Sequence, residues 1–130
     1  MKFRSTVLVS SLAIAALAVA AQVSAACKYP EAPDKIPDGT KASKEEMIAG
    51  MKAMRAYNDL IKQYTDCLKD EHDTAVGKID PSLDDVKKAK AKDDLDKVLA
   101  QKNDAAVDKA SDVTGRFNDQ IKAFNAAHKS

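Results

Sequence analysis

Residues 43–68, SKEEMIAGMKAMRAYNDLIKQYTDCL, decide the fold class of this chain. They open with Ser43-Lys44-Glu45-Glu46, the spacing of a capping box, in which a Ser hydroxyl and a Glu carboxylate satisfy two free amide donors at a helix start. Met47, Met51, Met54, Ile61 and Leu68 then recur at steps of three, four and seven, with Tyr57 and Tyr64 beside the same stripe. That period puts one apolar face on a helix and leaves Lys52, Arg55, Asp59 and Lys62 on a wet one. The pattern fades after Leu68, and the polar run 69–74 followed by Gly77 predicts the helix end.

Downstream, Asp80-Pro81-Ser82 has the form of a second helix start, with proline suited to the first turn. Lys87, Lys88, Lys90 and Lys92 stand directly before Asp93, Asp94 and Asp96. Cations suit a helix C-terminus and carboxylates an N-terminus, so this order predicts a short helix ending near Ala91 and a new one from Asp93. One uninterrupted helix over 82–127 is the alternative, because neither Gly nor Pro stands at the junction.

Length matching favours the break. A single helix turning back directly at Gly77 would carry everything after Asp112 past Ser43 and leave Phe117, Ile121 and Phe124 without a partner. A short connecting helix instead lets residues 95–127 lie antiparallel to residues 43–73. Their stripe of Leu95, Leu99, Ala106, Ala110, Val113, Phe117, Ile121 and Phe124 keeps a period near that of a helix throughout. If the overshoot is real, Phe117, Ile121 and Phe124 become the seam of a homodimer, which a thin two-helix core would favour.

Upstream, residues 1–25 carry the three parts of a secretory signal: Lys2 and Arg4, an apolar run over 6–21, and a short polar region ending Val23-Ser24-Ala25. Cleavage after Ala25 or after Ala26 suits the small residues there. A spanning helix needs roughly 20 apolar residues and this run is shorter, so no integral membrane span is expected after cleavage. Bacterial lipoproteins are cut before a cysteine, which Cys27 would supply. That motif, however, puts an apolar residue where Ser24 stands, and lipidation would leave Cys67 unpaired in an oxidising compartment.

The chain thus divides into a signal at 1–25, a proline-rich arm at 26–42 and a helical domain at 43–130. Pro30, Pro33 and Pro37 remove amide donors and favour extended backbone, and Pro37-Asp38-Gly39 is a turn signature in which Gly39 can take a positive φ. Cys67 has one possible partner within the chain, Cys27. From Ser43 to Cys67 a helix covers roughly 36 Å, and the segment from Cys27 to Ser43 can extend to ~55 Å. The arm can therefore run back along the helix and be clamped by a disulfide, whose loop closure stabilises by ~3 to 4 kcal/mol in the chain-entropy account. The expected architecture is an all-α antiparallel hairpin with a short connecting helix and this clamped arm.

Composition excludes several functions. The 130 residues are 32% charged, only 5% aromatic and free of Trp, which suits helices over sheet. The net charge is +1, and removing Lys2 and Arg4 with the signal takes 21 basic groups to 19 against 20 acidic ones. A balanced surface offers no footprint for nucleic acid or for an anionic membrane surface.

Met47, Met51 and Met54 place three thioethers at helical spacing, and soft sulfur ligands favour Cu(I). The same spacing serves core packing, where Met fills irregular gaps. Asp70-Glu71-His72-Asp73 lacks a metal-ligand pattern and reads as a solvated helix end. Cys27 and Cys67 are far apart in sequence, unlike a redox C-x-x-C pair. Tyr57 and Tyr64 read as edging the core. Catalytic and cofactor-binding residues are not indicated.

Cys27-x2-Pro30-x2-Pro33, Ile36-Pro37-Asp38-Gly39, Glu46-Met47, Tyr57, Tyr64 and Cys67-Leu68, with Phe117-Asn118-x-Gln120 later, resemble a pattern in small exported, uncharacterised proteins of Gram-negative bacteria. The resemblance implies a secreted helical protein with paired cysteines and transfers no activity. The functional expectation is a periplasmic or secreted, non-enzymatic protein that contacts a protein or another envelope component. The alternative is copper or other metal handling on the Met face.

Overall fold

The computed structural model describes residues 26–129, so the signal segment and its cleavage point lie outside the described residues. Two helices, α1 (Lys44–Gly77) and α2 (Asp85–Ala127), pack against each other as a hairpin. The capping box forms as its spacing predicts: the Ser43 amide donates to Glu46 Oε2 at 2.7 Å, and the Glu46 amide donates to Ser43 Oγ at 3.2 Å. Residues 69–76 remain helical, so α1 runs on to Gly77, beyond the point where its apolar pattern fades.

The connection is a turn rather than a helix start. Ser82 donates its amide to Asp80 Oδ1 and Leu83 donates to the Asp80 carbonyl, which puts Pro81 at the second position of a four-residue turn, where its fixed φ fits. Helix α2 begins later, at Asp85, with the Asp84 carboxylate accepting the Lys87 amide at 2.9 Å.

Helix α2 continues unbroken through Ala91 and Asp93, against the expectation of a short connecting helix. The charges that suggested a break instead pair along one helix: Lys90 with Asp94, Lys92 with Asp96 and Asp93 with Lys97, each four residues apart. Opposite charges at this spacing support a helix by about a few tenths of a kcal/mol per pair, and Leu95 and Leu99 keep their place on the face toward α1 by staying in phase.

The register shows why length matching misled. Phe117 meets Gly50, and His72 meets Asp96. Carried along both helices, this register sets Ser43 level with Phe124, so the base does not overshoot. The connection over residues 78–84 takes up the excess, and the first turn of α2 stands beyond the end of α1 at the opposite tip. Val86, there, is 80% exposed. The homodimer seam of Phe117, Ile121 and Phe124 rested on an overshoot that is absent. Phe117 is buried within its own chain, and Ile121 and Phe124 pack on the same cluster.

The arm occupies one seam of the hairpin. The disulfide Cys27–Cys67 forms, with Cα atoms 5.9 Å apart. At the other end Asp38 organises the turn: its carbonyl accepts the Lys41 and Ala42 amides, and its Oδ1 accepts the Thr40 amide and hydroxyl. Gly39 does not have a positive φ; it is required for space. A Cβ there would lie 1.9 Å from the Gln120 carbonyl oxygen of α2, while the Gly39 amide donates to Gln120 Oε1 at 2.9 Å. Gly50 on α1 is a second close approach, where a Cβ would meet the Phe117 ring edge and the Pro37 ring, both at 2.8 Å.

The core therefore gathers where three elements meet: Ala42, Met47, Met54, Tyr57, Ile61, Val113 and Phe117, with Tyr29, Ala32 and Ile36 of the arm packed on it. Tyr57 is the most deeply buried side chain of this cluster, at its centre rather than its edge, whereas Met51 faces outward. Burial of Tyr57 requires a partner for its hydroxyl, and Tyr29 of the arm supplies one at 2.7 Å.

Candidate functional site

Beyond Cys27, none of the described arm residues, 26–42, covers the seam between the helices. It forms a cleft of about 160 Å³ between the helices, walled by Leu68, Ala75, Leu95, Val98 and Leu99, with Glu71, His72 and Lys102 at its rim. The apolar wall follows from helical phase. Leu95 and Leu99 continue the α2 stripe, and Leu68 and Ala75 come round every seven residues after Ile61 on α1. Leu68 is buried, but Val98 is 47% exposed, because no arm residue lies over it.

The rim is a network of paired charges. Glu71 Oε1 accepts the Cys27 backbone amide at 2.9 Å, and Lys102 Nζ stands 3.8 Å from Glu71 Oε2. The His72 side chain is only 14% exposed; its Nε2 lies 2.6 Å from Asp96 Oδ1 on α2 and its Nδ1 3.2 Å from Asp73 Oδ1. Hydrogen bonding to Asp73, and then to Asp96, raises the His72 pKa above the ordinary imidazole range. Asp73 and Asp96 are held below the usual carboxylate range, each first by its lysine, Lys69 or Lys92, and then by His72. His72 is therefore a cross-helix tie and not the solvated helix end expected of it. The missed signal was its position four residues after Leu68, on the same face.

Lower on the seam, Tyr29 ties the arm to α1. It shares a hydrogen bond with Tyr57, meets the Tyr64 ring edge to face at 5.3 Å, and lies under Lys109 Nζ at 5.0 Å. Burial, followed by the Tyr57 bond, pushes the Tyr29 hydroxyl pKa well up, so Tyr29 stays neutral and serves as structure.

The three methionines are not gathered. Met47 and Met54 are in the core, while Met51 is 38% exposed and its sulfur lies 3.5 Å from Arg55 Nη2. Among the described residues no group of three His, Cys, Asp or Glu side chains is arranged to hold a metal ion. The Cys27 sulfur that a lipid would need is engaged with Cys67. None of the described helices is long and apolar enough to cross a membrane. Comparison with protein-family models, with curated proteins and with solved structures finds no match to this chain.

Proposed function

We propose that this is an exported, non-enzymatic protein of the cell envelope that holds an apolar group of a protein or envelope partner in the cleft above Cys27. The observation that carries the proposal is the contrast between wall and rim. The wall is Leu68, Ala75, Leu95, Val98 and Leu99, while Glu71, His72 and Lys102 each already have a partner inside the chain. An acid or base for catalysis has to reach the substrate's proton. Groups already engaged within the chain around an apolar opening suit retention and orientation instead. The Cys27–Cys67 disulfide and the signal-like residues 1–25 support a periplasmic or secreted location, since such bonds persist in oxidising compartments.

A photo-crosslinking side chain placed at Val98 of the oxidised protein, in an envelope fraction, should capture one predominant partner. The same group at Lys52, on the wet face of α1, should not. Hydrolytic or redox turnover by the purified oxidised protein, or equal capture from both positions, would end this reading.

A further inference from the structure

The Cys27–Glu71 contact lies next to the point at which a secretory signal would be removed. We propose that Glu71 is a receptor for the α-ammonium group created by that cleavage, so that processing adds an ion pair at the mouth of the cleft. The proposal rests on the export reading above. Its geometry, however, comes from the described residues alone.

The disulfide fixes Cys27 against α1, and its amide nitrogen lies 2.9 Å from Glu71 Oε1. If cleavage follows Ala26, that nitrogen is itself the new ammonium. If cleavage follows Ala25, the ammonium is on Ala26, one residue away, and adjacent backbone nitrogens are only about 3 to 4 Å apart. A cut after Ala26 puts a positive charge at ion-pair distance from this carboxylate and a cut after Ala25 puts it one residue away, whereas an uncut chain offers only a neutral amide there. Glu71 has the capacity for this: Oε1 accepts one N–H, and Oε2 faces Lys102 at 3.8 Å, longer than a hydrogen bond. Its side chain is 28% exposed, so solvent screens the pair without abolishing it. Lys102 opposes the incoming charge. His72, on the same rim, is paired with Asp73 and Asp96, which Lys69 and Lys92 in turn pair, so this cluster adds little net charge.

The α-amino group ordinarily titrates near 7.7 to 8.0. In the mature protein its pKa should rise by at least about half a unit, because the carboxylate favours the charged form. Folded stability should then fall as pH rises through that raised value.

The test uses two mature chains, one beginning at Ala26 and one at Cys27, both oxidised. The α-amino pKa is followed by nuclear magnetic resonance in each wild type and in Glu71→Gln, which keeps an oxygen for the N–H but loses the charge. A third chain retains Ser24-Ala25 ahead of Ala26. The expected result is a raised value that returns to normal in Glu71→Gln, together with a higher Tm for the cut chain than for the extended one at neutral pH. Equal pKa values with and without the Glu71 charge, or equal Tm for cut and extended chains, overturn the proposal. The mass of the exported protein separates the two readings. Retention of residues 1–25, or a lipid on Cys27, sinks the export reading and the receptor with it. An N-terminus at Ala26 or Cys27 with an unshifted amine sinks the receptor alone.

Discussion

The base and the tip of this hairpin are built from the same two helices but held by different forces. At the base the arm is a third element: Tyr29, Ala32, Ile36 and Pro37 fill the seam, and Met47, Met54, Tyr57, Ile61, Val113 and Phe117 are buried or partly enclosed beneath it. Past Leu68 and Ala106 no side chain of the tip is buried, and contacts such as His72–Asp96, Glu71–Lys102 and the Lys–Asp pairs of α2 take over. Two helices alone cannot enclose a side chain from every direction. An apolar third element turns partial contact into burial, whereas exposed ion pairs contribute little because water already solvates the charges.

The most direct way to break the comparison is to empty the base. Phe117→Ala should cost about 3 to 5 kcal/mol in urea unfolding, because the ring is 3% exposed and wedged between Gly50 and the core. A loss below about 1 kcal/mol would mean the base is no better packed than the tip. Next comes the clamp. Cys27→Ser with Cys67→Ser should cost roughly 3 to 4 kcal/mol and raise hydrogen exchange in residues 26–42 well before the tip changes.

Gly50→Ala should cost about 1 to 3 kcal/mol, since its methyl would press on the rings of Phe117 and Pro37. A thermal melt in which the variant matches the wild type would show that those rings can give way. Gly39→Ala is harsher locally, because its neighbour is backbone. It should release the Asp38 turn and raise amide exchange at residues 38–42.

At the tip the expected effects are smaller and depend on pH. The folded pKa of His72 is raised, so its contribution is complete below its ordinary value, near 6.5, and is lost as pH rises through the folded value. Asp73 and Asp96 are lowered, so theirs is present above the usual carboxylate range and is lost as pH falls through their folded values. The tie should therefore be strongest between these limits. A Tm difference between wild type and His72→Gln should be largest in mildly acidic solution and narrow on the alkaline side; a difference independent of pH would refute the tie. Smallest of all, Lys90→Ala should change stability by less than about 0.5 kcal/mol, because its pair with Asp94 is exposed.

Much of this was legible in local chemistry. The capping box at Ser43, the apolar stripes of α1 and α2, and the reach of Cys27 to Cys67 all depend on neighbours in sequence or on chain length, and all three appear in the structure. The continuity of α2 was misread because charge order at Lys92-Asp93 is a weak term. It cannot outweigh a helix with no breaker at that point and an apolar face to keep in phase. The cleft was not foreseen, since its walls, such as Leu68 and Val98, come together only once α1 and α2 take their register.

By itself, then, the sequence determined the helical class, the start of α1, most of the inward faces and the covalent clamp, because capping, periodicity and the pairing of two cysteines are short-range or combinatorial facts. Only the tertiary structure decided the register that brings Phe117 to Gly50 and His72 to Asp96. It also decided the use of Gly39 and Gly50 as points of close approach and the meeting of Cys27 with Glu71. Each of these sums many weak contacts across residues far apart in the chain, and a shift by one helical turn would exchange every partner while leaving each local pattern intact.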